Sequence, residues 1–312
     1  MNAKIKSLIL AAMLALSLAA CSYTESQPQT DSFYTFTDHS GSQVTLARQP
    51  QRVAVLFSSF ADIWHTAGGT VDITVGETVE RGFADGSAVL VDGGAGKTID
   101  NEALVAANPD FVICSADVAA QNETAQLLKS AGIPCAVFRV ETFEDYLQVL
   151  KICTDITGRQ DLYRKHGTDV QDNITNLLSQ VQNTDTKILF VRAGSGASAT
   201  KAKTARDHFA AQMLKQLGTY NIAENAPVLL DGLSLEEIIT QNPQYIFIST
   251  MGDEAAAKAY IQSVFTQPQW QVLDAVKNQN YIFLPKELFQ YKPNSRWDTA
   301  YQYLLNILYE QQ

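Results

Sequence analysis

The sequence predicts an α/β protein made of two similar lobes joined by one long helix. Residues 98–115 (TIDNEALVAANPDFVICS) and 232–249 (GLSLEEIITQNPQYIFIS) repeat one pattern at a constant offset of 134 residues. Each copy has a short helical apolar pattern, an Asn-Pro pair and an apolar run ending in Ser. A third observation is that apolar residues recur at helical spacing along a segment between the two copies. A chance echo of helix, turn and strand is the alternative interpretation.

Each copy predicts a helix, a stop and a buried strand. Asn108 and Asn242 end the helices, because the residue before proline is pushed out of the α region. The apolar runs 111–114 and 245–248 are typical of strands buried on both faces of a parallel sheet. Glu102 and Glu236 occupy the same position in the two copies.

Composition excludes some partners. The chain has 312 residues, which suits one large domain or two ordinary ones, and its net charge is −10. An acidic chain argues against nucleic acid as a partner, because binding phosphates needs clustered Lys and Arg. An anionic small ligand held by a few local cations remains compatible with this charge.

The first 32 residues predict export and a lipid anchor. Lys4 and Lys6 precede an apolar run, 8–20, which is too short to span a membrane and has the layout of a secretory signal. The run ends in Leu-Ala-Ala before Cys21, like a bacterial lipobox, in which the cysteine is acylated. We therefore expect a signal peptide over 1–20 and a lipidated Cys21 with a flexible tether over 21–32. An ordinary signal peptide followed by a coincidental cysteine is the alternative.

The remaining cysteines and the histidines give no metal signature. Three cysteines cannot all pair, and apolar neighbours favour small buried hydrophobes. No spacing suggests structural zinc, and direct binding of zinc or manganese is disfavoured. The three cysteines are Cys114, Cys135 and Cys153, and the four histidines are His39, His65, His166 and His208.

The first lobe is predicted over residues 33–158. A hairpin signal at 33–46 is followed by a buried strand, 53–57, and by Ser58, Ser59 and Phe60. Ligands of open α/β sheets bind beyond the carboxyl ends of the strands, so these three residues are candidate pocket residues. Capping of the next helix by a serine is the alternative. The glycine-rich stretch 92–98 lacks a glycine that a phosphate-binding loop requires, and that function is rejected.

The connecting helix is predicted over residues 159–184 and the second lobe over 185–312. Apolar residues at 170, 174, 177, 178 and 181 have helical spacing, and Gly167 is the weak position. In the second lobe a buried strand at 187–191 leads to Arg192 at its carboxyl end, with Lys201 and Lys203 after it.

Four features together resemble a known family. They are the lipobox, a D-x-x-G hairpin before P-x-R-V, the helix and Asn-Pro-Asp strand unit, and the sequence K-P-N-S-R-W near the end. The ordered set is similar to substrate-binding proteins of ABC importers for iron siderophores, haem and cobalamin. The resemblance covers residues 33–310. It implies two Rossmann-like three-layer lobes, a single connecting helix and a ligand held between the lobes.

The resemblance also implies partners. Such proteins dock on a permease dimer, which works with an ATPase, through one glutamate on each lobe, and here the matching residues are Glu102 and Glu236. A two-fold related pair of carboxylates also suits a pseudo-symmetric partner. The alternative is that both acids simply favour the first turn of a helix. We expect a monomer.

The resemblance implies a bulky ligand that often bears a metal: a ferric siderophore, haem or a corrinoid. No cofactor is expected, and any iron or cobalt would belong to the ligand. Cations suit its anionic oxygens and aromatic rings suit stacking. For haem, Tyr291, Met251 and His65 are conceivable axial ligands, although His65 favours packing on a helix. The predicted ligand-binding residues are Ser58, Ser59, Phe60, Arg81, Arg192, Lys201, Lys203, Tyr291, Arg296 and Trp297.

The alternative functions are an α/β enzyme and a surface adhesin or scaffold. An α/β enzyme is disfavoured, because Gly194-Ser195-Gly196 lacks the spacing of a nucleophile elbow and no catalytic pair is evident. A surface adhesin or scaffold would also fit a lipid anchor. The sequence leaves open which chelate is bound and whether the host has an outer membrane.

Overall fold

The computed structural model describes residues 32–92, 98–181, 185–224 and 235–309. The predicted signal peptide, Cys21 and nearly all of the tether lie outside these ranges. So do the glycine-rich residues 93–97 and the first three residues of the second repeat copy, 232–234. Among the described helices, none combines the length and the apolar character needed to cross a membrane.

The first lobe is a three-layer α/β unit that follows a short hairpin. Its strands are β1 (Tyr34–Thr37), β2 (Gln43–Leu46), β3 (Val53–Val55), β4 (Ile73–Thr74), β5 (Val89–Leu90), β6 (Phe111–Ser115) and β7 (Cys135–Phe138). Its helices are α1 (Ser58–Thr66), α2 (Gly76–Glu80), α3 (Asn101–Ala106), α4 (Ala119–Ser130) and α5 (Phe143–Thr157). Strands β3 to β7 form a parallel sheet in the order β5-β4-β3-β6-β7.

Alternating residues of the central strands pack into two separate cores. Val55 and Ile113 belong to the core that also contains residues of α1 and α5. Val112 and Cys114 belong to the core that contains Leu104 of α3 and residues of α4. Because successive side chains of a strand point to opposite faces, this division places a helical layer on each side of the sheet.

The predicted hairpin is confirmed and is tied to the sheet by one carboxylate. Strands β1 and β2 pair antiparallel. Oδ1 of Asp38 accepts hydrogen bonds from the backbone N–H groups of Ser40 and Ser42, at 2.9 and 3.0 Å. Oδ2 accepts from the N–H of Val137 in β7 at 2.9 Å. The aspartate of the D-x-x-G motif therefore shapes the turn and fixes it to the first lobe.

A helical segment with one distortion connects the lobes. It consists of α6 (Gln160–Tyr163), a π-helical turn (Arg164–Thr168) and α7 (Asp169–Leu178). Gly167, the predicted weak position, lies in the π-helical turn. A Cβ there would come within 3.1 Å of a methyl group of Leu147 and 3.3 Å of Leu150, so glycine lets the segment pack closely on α5. At 1.5 Å per residue, 160–178 spans roughly 28 Å.

The second lobe repeats the architecture of the first. Its strands are β8 (Lys187–Ala193), β9 (Lys201–Ala202), β10 (Tyr220–Asn221), β11 (Tyr245–Thr250) and β12 (Tyr281–Phe283). Its helices are α8 (Phe209–Gln216), α9 (Leu235–Gln241), α10 (Glu254–Phe265), α11 (Asp274–Lys277), α12 (Lys286–Phe289) and α13 (Trp297–Tyr309), with 3₁₀ turns at Ala197–Ala199 and Asn294–Arg296. The parallel order is β10-β8-β11-β12, and β9 pairs antiparallel with β8.

The internal echo is a real structural repeat. The path β4-β3-β6-β7 of the first lobe has the same order as β10-β8-β11-β12 of the second. Asn108 and Asn242 end their helices with φ of 53° and 45°. Both residues adopt the left-handed region, which asparagine tolerates better than most residues and which ends a helix. The predicted α/β fold with two similar lobes is confirmed.

Candidate functional site

The loops that follow the strands of the two lobes meet each other. Arg81, which follows β4 and α2 in the first lobe, lies with its guanidinium carbon 3.9 Å from the ring centre of Tyr291 in the second lobe. Asn294 donates a hydrogen bond at 3.0 Å to the carbonyl of Ser59, in the first turn of α1. These contacts place the carboxyl ends of both sheets at one interface, where α/β proteins bind ligands.

Ser58 and Ser59 are buried and support Arg81. Ser58 donates from Oγ to Oε2 of Glu77 at 2.6 Å and accepts from Nη1 of Arg81 at 2.9 Å. Ser59 accepts from the same nitrogen at a longer distance, 3.5 Å. Neither serine is the N-cap of α1, which is Phe57. The capping alternative therefore does not hold, and both serines act on the position of a cation.

Arg81 keeps donor groups unused. One face of its guanidinium lies against Tyr291, and Phe83 lies 4.9 Å from the guanidinium carbon. Its Nε and Nη2 are buried and have no hydrogen-bond partner among the described residues. Lys286 also lies 5.1 Å from the Tyr291 ring. The tyrosine is thus already paired with cations, which attract the face of an aromatic ring.

Arg192 presents a similar unused donor in the second lobe. It lies on β8, directly opposite Ser249 of β11 and Lys201 of β9 in the strand register. Within the described parts of the chain, Nε of Arg192 and Oγ of Ser249 are buried without hydrogen-bond partners. Two neighbouring polar groups at the carboxyl end of the sheet are therefore available to a ligand.

His208 is a buried histidine that lies near the cations of the second lobe. Its ring packs 4.6 Å from Phe190, and its Nδ1 accepts from the N–H of Ala210 at the start of α8. Burial, together with the positive charges of Lys292, Arg192 and Lys203, lowers the pKa of His208 to about 3. The imidazole is therefore neutral at physiological pH.

The lysines of the second lobe differ in their contacts. Lys203 lies 3.9 Å from the carboxylate of Asp207, a loose pair. Lys292 reaches across to the first lobe, where its Nζ lies 3.1 Å from Oε2 of Glu141. Lys201 is half-buried on β9. Lys292 was missed by the sequence analysis, although it stands beside Tyr291 in the K-P-N-S-R-W motif.

A buried polar contact holds the lobes together beside these cations. Asn294 is fully buried with φ of 51°, and its Nδ2 also donates to Oδ2 of Asp62 at 2.8 Å. Burial raises the pKa of Asp62, while the Asn294 hydrogen bond and the charges of Arg81 and Arg296 act in the opposite direction. Arg296 itself donates to the carbonyl of Glu287 at 3.2 Å. Asn294 too was missed by the sequence analysis, because a buried amide in a loop has no sequence signature.

Two predicted site residues lie in the core instead. Phe60 is 4% exposed and packs against Phe138. Trp297 is 2% exposed, and its ring packs edge-on against Phe143 and Phe209 at 6.0 and 5.6 Å. Neither ring presents a face on which a ligand could stack. The motif pattern could not reveal this, since a tryptophan at the start of a helix suits either environment.

The residues considered for a haem iron do not converge. Met251 is exposed after β11, His65 is exposed at the end of α1, and Tyr291 lies under Arg81. The described residues contain no group of three or more His, Cys, Asp or Glu side chains placed to hold a metal ion.

Glu102 and Glu236 lie at equivalent places on the surface. Each is exposed and is the second residue of its helix, α3 or α9. Their helices precede the equivalent strands β6 and β11, so the two carboxylates occupy matching positions on the two lobes.

Comparison with known proteins identifies the family. Residues 53–288 match the family model described as "Periplasmic binding protein". The chain belongs to this family. It is 24% identical over 248 residues to the Fe(3+) dicitrate-binding periplasmic protein FecB of Escherichia coli (strain K12), covering 75% of this chain and 77% of that protein.

The chain is also similar to a second curated protein, and a solved structure shares its fold. The chain is 24% identical over 186 residues to the vitamin B12-binding protein of Pectobacterium carotovorum, which covers 59% of this chain and 64% of that protein. The periplasmic heme-binding protein RhuT from Roseiflexus sp. RS-1 superposes with a TM-score of 0.67 at 17% identity, over 83% of this chain and 98% of that chain. Membership of this family confirms the predicted resemblance and the prediction of a binding protein rather than an enzyme.

Proposed function

We propose that this chain is an extracytoplasmic lipoprotein that captures an iron chelate, haem or a corrinoid between its two lobes and delivers it to an ABC importer. Relatives whose names refer to Fe(3+) dicitrate, vitamin B12 and heme support this class of ligand. The permease dimer and its ATPase would be the protein partners. The binding protein itself acts as a monomer.

One observation carries the ligand proposal: both lobes contain buried guanidinium nitrogens that have no hydrogen-bond partner in the described chain. These are Nε and Nη2 of Arg81 and Nε of Arg192. A buried donor left unpaired costs about 1–3 kcal/mol. Carboxylate, catecholate or propionate oxygens would supply the missing acceptors, and the planar fork of arginine suits them.

The burial and contacts of the candidate residues support a revised set of proposed ligand contacts. The proposed direct contacts are Arg81, Arg192, Lys201, Lys203, Tyr291 and Arg296, with Lys292 and Ser249 added. Ser58 and Ser59 are kept as supports of Arg81. Phe60 and Trp297 are not retained as direct contacts, because both are buried in the core. The serines act by holding Arg81 rather than by reaching the ligand.

Fluorescence titration tests the binding proposal. Residues 22–312, which include every described residue, are titrated with ferric citrate, a ferric catecholate, a ferric hydroxamate, haem and cobalamin. One ligand should quench the tryptophan emission saturably, because iron chelates and tetrapyrroles absorb near that emission. Saturation by none of these ligands would overturn the proposal.

A charge variant tests the site itself. Arg192→Gln should weaken binding of the quenching ligand by about 10- to 100-fold, the equivalent of one lost charge-assisted hydrogen bond. Arg48→Gln changes an exposed arginine after β2 and is the matched control, which should bind normally. Equal affinity of both variants would place the ligand elsewhere. Thermal melts of each variant separate lost binding from lost folding.

The permease contact is a second part of the proposal. Glu102→Arg and Glu236→Arg should each abolish ligand uptake by cells while leaving ligand affinity unchanged, because both side chains lie on the surface away from the core. Glu123→Arg, at an exposed position of α4, is the control and should support normal uptake. Normal uptake by both reversed variants would leave them as ordinary acids of a helix's first turn.

The lipid anchor is tested separately. Cys21→Ser should leave the exported chain in the soluble fraction, whereas the unaltered chain should sediment with membranes and carry a fatty acyl label. An unaltered chain that is fully soluble would limit the leader to an ordinary secretory signal.

A further inference from the structure

Two cysteines of the first lobe lie side by side. Sγ of Cys114 is 3.5 Å from Sγ of Cys135. Cys114 lies in β6 and Cys135 is the first residue of β7. The parallel register pairs Val112 with Cys135 and Cys114 with Val137, so the cysteines are diagonal neighbours on one face of the sheet.

We propose that Cys114 and Cys135 are a redox pair that forms an intramolecular disulfide by exchange with a disulfide donor outside the cytoplasm. The Cys135 thiolate attacks the donor disulfide, which releases one donor thiolate and leaves a mixed disulfide on Cys135. Cys114 then gives its proton to the released donor thiolate and attacks the sulfur of Cys135. The second donor thiolate leaves, so two protein thiols are oxidised and one donor disulfide is reduced to two thiols.

The geometry permits this bond after a small movement. A disulfide needs its sulfur atoms at about 2.05 Å, so the present separation must shorten by about 1.5 Å. Cys135 follows directly on the turn at residues 131–134, in which Gly132 has φ of 72°. A cysteine at the start of an edge strand, next to such a turn, can shift more easily than one in the middle of the sheet.

Access decides the order of attack. Cys135 is half-buried and lines a groove of about 480 Å³ between the hairpin and α4, together with Gln43, Thr45 and Lys129. Cys114 is fully buried. Its contact with Cys135 and its burial raise the pKa of the Cys114 thiol, so it stays protonated. A donor therefore meets Cys135 first, and Cys114 resolves the mixed disulfide.

The third cysteine provides an internal control. Cys153 is 1% exposed within α5, and burial raises its thiol pKa. It belongs to the core on the other face of the sheet from Cys114. It should neither pair nor react with the donor, since the thiolate is the reactive form and the donor cannot reach it.

The inference relies on the exported location proposed above, where disulfides persist. It does not depend on the identity of the ligand.

Peptide mapping tests the pair. The full chain carrying Cys21→Ser is reduced, incubated with oxidised glutathione, alkylated and digested with trypsin. Cleavage after Lys97, Lys129 and Arg139 separates Cys114 (peptide 98–129) from Cys135 (130–139), while Cys153 lies in 152–159. We expect peptides 98–129 and 130–139 to be linked and Cys153 to be alkylated. Two alkylated peptides, or a persistent glutathione adduct on Cys135, would overturn the proposal.

Single variants test the order of attack. Cys114→Ala should trap one glutathione on Cys135, because no resolving thiol remains. Cys135→Ala should leave Cys114 unreacted, whereas a glutathione adduct on Cys114 in that variant would contradict the assigned roles. Oxidation of the unaltered pair should raise the melting temperature by closing the loop that contains α4, and it should not change affinity in the ligand titration. Failure of the ligand proposal thus leaves this test intact.

Discussion

The two lobes share a strand order but differ at the carboxyl ends of their central strands. In the first lobe, the fully buried Gln121 accepts from the N–H of Ser115 and donates to the carbonyl of Leu56, both at 2.7 Å. This amide ties the end of β6 to the residue after β3. The matching position of the second lobe is Ala255, which cannot make such a bridge. There, Oγ of Ser249 stays without a partner in the described chain.

This difference in hydrogen bonding indicates that the two lobes contribute unequally to ligand binding. In the first lobe, the Gln121 amide already occupies the N–H of Ser115 and the carbonyl of Leu56, so these two groups are not available to a ligand. At the carboxyl ends of the second-lobe strands, the buried donors of Ser249 and Arg192 have no partner in the described chain. They are therefore available to an acceptor on a ligand. We infer that the second lobe supplies most polar contacts to the ligand, and that Arg81 is the main contribution of the first.

The largest expected effect comes from removing the Gln121 amide, which bridges Ser115 and Leu56 in the first lobe. Gln121→Leu removes both hydrogen bonds and leaves the N–H of Ser115 and the carbonyl of Leu56 buried without partners. We expect a loss of about 2–4 kcal/mol in the free energy of unfolding, because unpaired buried groups pay their full desolvation cost. Urea unfolding measures this.

The matched control lies on the same helix. Gln126 is exposed, so Gln126→Leu should change stability by about 0.5 kcal/mol or less. If Gln121→Leu were equally mild, the amide bridge would not distinguish the two lobes.

The burial of His208, together with the cations near it, predicts a pH effect. His208 has a pKa of about 3 in the folded chain, below its ordinary value of 6.5. The unfolded chain therefore binds the extra proton first, and stability present above pH 6.5 is lost as the pH falls toward 3. At pH 5 the loss is about 2 kcal/mol by proton linkage. His208→Asn should lose this part of the pH dependence.

Asparagine is the suitable replacement because it can still cap α8 by accepting from the N–H of Ala210. Urea unfolding of both proteins at pH 7.5 and pH 5 gives the difference directly. Identical slopes with pH would contradict the lowered pKa of His208, which burial and the nearby cations together cause.

Much of the architecture was predictable because it follows from periodic patterns. The repeat around Asn108 and Asn242 predicted the lobes, and the D-x-x-G turn predicted the hairpin, since both reflect local backbone chemistry. The family match then confirmed the class of protein. Gly167 was rightly singled out, although sequence alone did not specify a π-helical turn.

The site was harder to predict, because its residues converge from distant parts of the chain. Arg81 and Tyr291 were each predicted, but their contact depends on how the lobes meet. Asn294 was missed since its role comes from a buried contact with Asp62, 232 positions away. Trp297 was misplaced because an aromatic residue near a motif suits a core as well as a pocket.

A smaller effect is expected where the lobes meet. Burial raises the pKa of Asp62, so its charged form is disfavoured in the folded chain despite the Asn294 hydrogen bond and the nearby Arg81 and Arg296. Stability present below the ordinary aspartate pKa is lost as the pH rises through the raised value. Asp62→Asn, which can still accept from Asn294, should be more stable than the unaltered chain at pH 7 and lose that advantage at low pH. A less stable variant at pH 7 would show that the charge favours lobe contact.

The smallest expected effect on stability comes from Ser115 and Ser249, which occupy equivalent positions in the two lobes. Ser115 Oγ accepts from the N–H of Asp117 at 3.3 Å. Ser115→Ala should therefore lower the free energy of unfolding by about 1 kcal/mol. Ser249 Oγ has no such partner in the described chain, and Ser249→Ala should change stability by about 0.5 kcal/mol or less while weakening ligand binding. Urea unfolding and the ligand titration measure the two quantities separately. A Ser249→Ala variant that loses stability but binds the ligand normally would mean that this hydroxyl stabilises the fold and does not contact the ligand. The two lobes would then not differ at this position.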